Sequence, residues 1–134
     1  MKVLVPFDLT PVSERAVNFA LEEYANDDSV TLHAVHFNSK KHGTVEDVIN
    51  QTVVDFAENK DFDTNDLITD VEQRDEPVDK PSTVGDIILE HVEEENIDHV
   101  VMGQHNKSWL KNLVKGSASG KVAEEASVPV TLVP

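Results

Sequence analysis

The residues most able to bind a ligand form a loop with glycine near both ends. It opens with Gly103-Gln104-His105-Asn106, continues for nine residues and closes with Gly116-Ser117. Glycine at the end of a strand lets the backbone approach an anion closely, and the N-terminus of a helix presents unpaired N–H groups to phosphate. The Ser117 hydroxyl adds a further donor. Glycine beside a strand and Gly-Ser before a helix also serve as turn and cap, so phosphate binding and a structural role both remain open at this point.

Positive charge accompanies this loop in an otherwise acidic chain. Lysines spaced by four stand at Lys107, Lys111 and Lys115. His105 lies in the same loop and is a candidate ligand contact. The other five histidines are interpreted as packed or surface residues, namely His33, His36, His42, His91 and His99.

Other site chemistries find little support in the sequence. His33 and His36 lie at an odd spacing on one predicted strand, so they point to opposite faces and cannot both bind one metal ion. The segment Gly116-Ser117-Ala118-Ser119-Gly120 has alanine where a nucleophile elbow carries serine. The chain has no cysteine, which excludes disulfides, thiolate metal sites and cysteine nucleophiles. We therefore predict no catalytic residue and no metal-binding residue.

Strands and helices alternate along the chain and must position this loop. Apolar runs and alternating segments predict strands at Lys2–Phe7, Val30–Phe37, Leu67–Gln73, Asp98–Met102 and Pro129–Val133. Helical spacing with cap signals predicts four helices. The first has Thr10 as its cap and Pro11 as its first residue, the second is capped by Thr44, the third begins near Thr83 and the fourth begins at Ser117.

This alternation predicts a single α/β domain of 134 residues. The expected architecture is a five-stranded, mainly parallel, doubly wound sheet of Rossmann-like type, with strand order 3-2-1-4-5 and helices on both faces. In such sheets ligands lie outside the carboxyl ends of the strands, where the strand order reverses. Asp8, after the first strand, and Gly103, after the fourth, are therefore expected to meet there.

The charge of the chain bears on its partners and its surroundings. The formal net charge is −15, and residues 44–98 alone carry 18 acids and 3 bases. Such a charge disfavours nucleic acid and anionic membranes as partners. It suits a salty cytoplasm, where a screening length of about 3 Å at 1 M salt removes self-repulsion, and so predicts a halophilic source. No apolar run approaches a membrane span and no secretory signal is evident, so we expect a cytoplasmic protein.

Several segments together resemble the universal stress protein family over nearly the whole chain. They are the first strand ending in Asp8, the early helix Ser13-Glu14-Arg15-Ala16, the strand Ile97–Gly103, the junction Gly116-Ser117 and the closing segment Val128–Val133. Nucleotide-binding members of that family carry glycine, two residues, glycine, nine residues, then glycine and serine or threonine. Gly103, Gly116 and Ser117 match this spacing, whereas Asn106 stands in place of the second glycine.

The resemblance implies an ATP or ADP site, with magnesium accompanying the nucleotide. It places Asp8 near the adenosine and Val35 beside the adenine. It places Gly103, Gly116 and Ser117 around the ribose and phosphates, and Met102, Asn106 and Ala118 complete the candidate binding residues. Two further departures from the family pattern are Leu9, where glycine is frequent, and Trp109, which adds bulk to the loop.

Three functions follow as hypotheses. The first is a stress-response switch that holds ATP or ADP with little or no turnover. The second is a homodimeric stress protein of the same fold that binds no nucleotide and acts through protein contacts. The third is a nucleotide hydrolase or adenylyl-transferring enzyme built on the same sheet. Because an exposed edge strand tends to pair with another chain, we expect a homodimer through antiparallel pairing of the C-terminal strand, Val130–Val133.

Overall fold

The computed structural model describes residues 1–38, 43–73, 81–104 and 118–134. Its strands are β1 Lys2–Pro6, β2 Thr31–Asn38, β3 Leu67–Gln73, β4 His99–Gly103 and β5 Val130–Val133. Its helices are α1 Pro11–Tyr24, α2 Gly43–Asn59, α3 Pro81–Glu94 and α4 Ala118–Glu125, with a short 3-10 turn at Thr64–Asp66 before β3. The five predicted strands are thus confirmed, with bounds that differ by a residue or two.

The strands form one sheet in the order β3-β2-β1-β4-β5. Every pairing is parallel. The predicted fold class and strand order are therefore confirmed. The order reverses between β1 and β4, since the chain proceeds outward from β1 through β2 to β3 and then returns to the other side of β1.

Alternate residues of the central strands pack into two separate cores. Val3 and Val5 of β1 lie in a fully buried cluster with residues of α1 and α2, whereas Leu4 lies in the cluster that packs with α3 and α4. A strand that is apolar at consecutive positions is expected when both faces of a parallel sheet are covered. The sheet therefore has helices on both faces, as predicted.

Helix α1 begins where the sequence predicts, because its first turn is capped and pre-shaped. Thr10 is the N-cap and its hydroxyl accepts a hydrogen bond from the backbone N–H of Ser13, while Pro11 occupies the first helical position. The face buried against the sheet consists of Ala16, Val17, Ala20 and Leu21. The start of α1 is therefore held next to the carboxyl ends of β1 and β4.

Helix α1 is also tied to the edge strand β5 by polar contacts. The Oη of Tyr24 lies 2.8 Å from Nδ1 of His99, and Nε2 of His99 lies 2.8 Å from Oγ1 of Thr131. The Nε of Arg15 donates to the carbonyl of Pro134 over 2.9 Å. Burial lowers the pKa of His99, with nearby Glu23 opposing the shift.

None of the helices in the described ranges is both long enough and apolar enough to cross a membrane.

Candidate functional site

A cleft opens at the carboxyl ends of β1 and β4, where the strand order reverses. Its apolar surface comes from Phe7, Phe37, Ile88 and Met102. Its polar groups come from Asp8, Thr10, Ser13 and Ser119. An apolar floor with a few convergent polar groups is the usual construction of a small-molecule site, and this is the position where parallel α/β sheets place one.

The polar rim on the β1 side is held together by hydrogen bonds between Asp8, Thr10 and Ser13. The Asp8 carboxylate accepts from both the backbone N–H and the hydroxyl of Thr10. The Ser13 hydroxyl, which is almost fully buried, donates to the Thr10 carbonyl over 3.0 Å and accepts from the Asp8 backbone N–H. The first turn of α1 therefore fixes the backbone and one carboxylate oxygen of Asp8 before any ligand arrives.

Leu9, between the strand and the cap, takes a backbone conformation that favours glycine. Its φ is 66° and its side chain is 40% exposed. For a residue with a Cβ, this left-handed conformation costs roughly 1–2 kcal/mol. The sequence departure noted at Leu9 is thus a strained residue between Asp8 and Thr10, which both line the cleft.

Gly103 is required by a close approach within the protein itself. A Cβ built on Gly103 would lie 2.1 Å from Cγ1 of Val12 and 2.7 Å from the Val12 carbonyl oxygen. The space that a side chain would need is therefore filled by the first turn of α1. We predict an anion-binding role for this glycine from the sequence, and the structure adds a packing role that spacing alone does not reveal.

The opposite wall of the cleft is formed by α3 and α4, which approach each other closely at Gly85. A Cβ on Gly85 would lie 3.1 Å from Cβ of Lys121 and 3.4 Å from the carbonyl oxygen of Ala118. Lys121 also lies 2.8 Å from the Asp86 carboxylate. This contact brings Ala118 and the buried Ser119 to the cleft at the start of α4.

The structure brings together half of the residues that the sequence predicts for the site. Asp8, Met102, Gly103 and Ala118 all line the cleft. Val35 does not, because it is fully buried in the core beneath α3. Asn106, Gly116 and Ser117 lie outside the described residues, as does the candidate contact His105.

Family comparison decides what kind of domain carries this cleft. A model of the universal stress protein family matches residues 1–134. The chain belongs to the universal stress protein family. No curated protein matches the chain significantly.

Solved structures of universal stress proteins share the fold at low sequence identity. One, in complex with cAMP, is 20% identical with a TM-score of 0.78, over 100% of this chain and 96% of the other. A universal stress protein from Archaeoglobus fulgidus in complex with dAMP is 18% identical with a TM-score of 0.69, over 100% and 98% of the two chains. A family member from Arabidopsis thaliana with AMP bound is 16% identical with a TM-score of 0.65, over 99% and 90%.

Sequence reasoning missed nine of the thirteen residues that line the cleft of this universal stress protein. Among them are the polar residues Thr10, Ser13 and Ser119 and the aromatic residue Phe37. The sequence could have indicated Thr10 and Ser13, because a helix cap that directly follows an aspartate at the end of a strand must lie beside that aspartate. It indicates Phe37 more weakly, since Phe37 ends the predicted second strand on the same face as Val35. Ser119 is the second residue of α4, and no pattern distinguishes it from an ordinary helical serine.

Proposed function

We propose that this universal stress protein binds an adenine nucleotide, ATP or ADP, in the cleft and acts as a stress-response switch. The observation that carries the proposal is the joining of an apolar floor to a polar rim at the point where the strand order reverses. Structural relatives described as complexes with cAMP, dAMP and AMP support an adenine nucleotide as the ligand class.

Each part of the cleft has a role in this proposal. The base lies against the apolar surface that Phe37 and Met102 provide, and Asp8 accepts a hydrogen bond from the ribose. The phosphates lie toward the start of α4, where the N-terminal dipole of the helix and the Gly116-Ser117 junction favour negative charge. Magnesium, where it accompanies the nucleotide, is held chiefly by the phosphates.

A matched pair of substitutions in α4 tests the site. Ala118→Leu places a bulky side chain in the cleft, whereas Ala123→Leu makes the same change on the exposed side of the same helix. Calorimetry with ATP, ADP and AMP in about 2 M potassium chloride should show at least a tenfold loss of affinity for Ala118→Leu and none for Ala123→Leu, a difference of about 1.4 kcal/mol or more. Equal affinities in the two variants would place the ligand elsewhere.

The loop outside the described residues provides a second test. Gly116→Val blocks the approach of the backbone to phosphate and should abolish binding, and Asn106→Gly restores the family spacing and should tighten it. The nucleotide hypothesis would be eliminated if neither wild type nor Asn106→Gly bound nucleotide and no nucleotide co-purified with the protein. The non-nucleotide homodimer would then replace it. Phosphate release with turnover would instead support the hydrolase.

We also propose a homodimer in which two β5 strands pair in antiparallel fashion. Within the described residues β5 has a neighbouring strand, β4, on one side only, and all four of its residues are partly exposed. An unpaired, largely apolar strand edge favours pairing with a second copy. Light scattering should show a particle of twice 14.8 kDa at micromolar concentration in concentrated salt. Replacing Leu132 by proline, which removes a backbone donor from the edge, should give a monomer.

A further inference from the structure

Two histidines lie behind the wall of the cleft that α3 provides. His91 of α3 is 4% exposed, and its Nδ1 lies 2.8 Å from Oε2 of Glu72 on β3. Because an ionised carboxylate only accepts hydrogen bonds, Nδ1 of His91 is the donor in this contact. The Nε2 atoms of His91 and of His33 on β2 are both buried, and neither has a hydrogen-bond partner among the described residues.

Phe37 connects His91 to the cleft. Its ring lines the cleft and meets the His91 ring edge-on, with centroids 5.4 Å apart at an interplanar angle of 88°. Ile88, one turn before His91 on α3, also lines the cleft. A displacement of His91 therefore moves two elements of the cleft wall, the aromatic ring of Phe37 and the helix that carries Ile88.

Burial opposes the uptake of a proton by His33. It is the main cause that lowers the pKa of His33, and Lys2 of β1 and His91 lower it further, while Glu95 at the end of α3 raises it. Glu72 lies against Nδ1 of His91 from β3. Because Nε2 of His33 is buried without a hydrogen-bond partner among the described residues, a charged His33 ring lacks contacts that would replace water. A protonated His33 is therefore better accommodated when α3 moves outward and admits water.

We propose, resting on the nucleotide-binding function above, that protonation of His33 makes binding in the cleft depend on pH. Neutral His33 keeps α3 packed on β2, with His91 against Phe37 in the cleft wall. A proton taken up by His33 loosens that packing and weakens nucleotide binding. By linkage, nucleotide binding expels a proton from His33 at a pH where the free protein is partly protonated.

The probe for this effect is cAMP, because its phosphodiester has no group that titrates between about pH 5 and 8, unlike a terminal phosphate with a pKa near 6. Calorimetry compares its affinity at about pH 7.5 and pH 5.5, where one linked proton changes the affinity by up to tenfold per pH unit. Because the pKa of His33 lies below its ordinary value, wild type should lose affinity by several-fold but less than tenfold, and His33→Gln should lose less than about twofold. Measurements in two buffers of different ionisation enthalpy count the proton released on binding.

His99→Gln is the matched control. His99 is also a partly buried histidine with a lowered pKa, but it begins β4 at the opposite end of the sheet from the cleft. This variant should keep the pH dependence of wild type.

Charge substitutions at the surface test the same inference without changing the buried pair. Lys2→Gln removes a positive charge that opposes protonation of His33, so the pH at which affinity is half lost should rise. Glu95→Gln removes a negative charge that favours it, so that pH should fall. Amide hydrogen exchange of α3, measured without nucleotide, should accelerate over the same pH range in wild type and not in His33→Gln.

The outcomes separate this inference from the proposed function. If His33→Gln keeps the full pH dependence of wild type, or if Lys2→Gln and Glu95→Gln leave the transition where it was, the inference is wrong and nucleotide binding stands. If wild type binds neither cAMP, AMP nor ATP at any pH, the proposed function is wrong and the linkage with it. The hydrogen exchange of α3 then decides by itself whether protonation of His33 loosens the helix.

Discussion

Replacing Gly103 by alanine should have two effects, a less stable fold and a wider cleft. The added Cβ would meet Cγ1 of Val12 at 2.1 Å and the Val12 carbonyl oxygen at 2.7 Å, whereas carbon atoms in good contact lie about 3.5–4.0 Å apart. Rotation of the Val12 side chain relieves the first contact but not the second, because the oxygen belongs to the backbone. The first turn of α1 must therefore move away from β4, and it takes Thr10 and Ser13 of the cleft rim with it.

The expected loss in the free energy of unfolding depends on whether the clash involves side chain or backbone. Overpacking typically costs about 1–3 kcal/mol, and a contact with backbone belongs at the upper end, so we expect Gly103→Ala to lose about 3 kcal/mol of the free energy of unfolding. In a domain of this size the melting temperature should fall by about 10 °C. Urea unfolding in concentrated potassium chloride measures the free energy, and a thermal melt measures the temperature.

Two controls make the Gly103 result interpretable. Gly85→Ala makes the same substitution where the nearest atom is Cβ of Lys121 at 3.1 Å, and it should stay within about 1 kcal/mol of wild type because the gain in helix propensity offsets the crowding. The double variant Val12→Ala/Gly103→Ala should be about 1 kcal/mol more stable than Gly103→Ala alone, because the Val12 side chain contributes that part of the clash. A loss below about 1 kcal/mol for Gly103→Ala would refute the packing argument.

Three further predictions concern strain, pH and salt. The backbone of Leu9 has a φ of 66°, which glycine adopts more easily than alanine. The Leu9→Gly variant should therefore have a free energy of unfolding about 1 kcal/mol higher than the Leu9→Ala variant, the reverse of the usual order. Chemical denaturation of the two variants measures this difference. Because burial lowers the pKa of His99, the unfolded chain binds a proton first as pH falls below about 6.5, so stability declines there. His99→Gln should make that decline shallower, and an identical slope would contradict this account. The melting temperature should rise between about 0.1 M and 2 M potassium chloride, and changing the exposed acids Glu46, Asp47 and Glu58 to amides should flatten the rise. A rise that survives these changes unaltered would argue against an electrostatic origin.

The fold was predictable because its signals are local and agree with one another. The apolar run at Lys2–Phe7, the Thr10-Pro11 cap and the amphipathic face of α1 each indicate the same strand and helix, and alternation of such units permits few topologies. The meeting of Asp8 with Gly103 then follows from the topology, because parallel strands end at a common edge of the sheet. That part of the candidate site could be predicted from sequence.

The remaining part depends on distances that sequence spacing does not contain. Val35 and Phe37 share one face of β2. Which of them reaches the cleft depends on how far β2 extends past its neighbouring strands. The two residues are about 6.6 Å apart along the strand, and sequence spacing does not show where the strand ends relative to its neighbours. The packing role of Gly103 depends on Val12, which is distant in sequence and becomes a neighbour only when α1 settles on β4. The resemblance to the family implies a nucleotide near Val35, which stays a prediction, and the structure shows Phe37 of the same strand in the cleft wall.

Helix α1 spans the distance between the cleft and the edge strand as a single stiff rod. Its 14 residues extend about 21 Å, with Val12 against β4 at one end and Tyr24 joined through His99 to Thr131 at the other. The Nε of Arg15 donates to the carbonyl of Pro134 between these two ends. Because a helix of this length is stiff, a displacement of its first turn is expected to alter the contacts of Arg15 and Tyr24 as well. The cleft and the edge strand β5 therefore share one helix, and β5 is the strand proposed above to pair with a second copy.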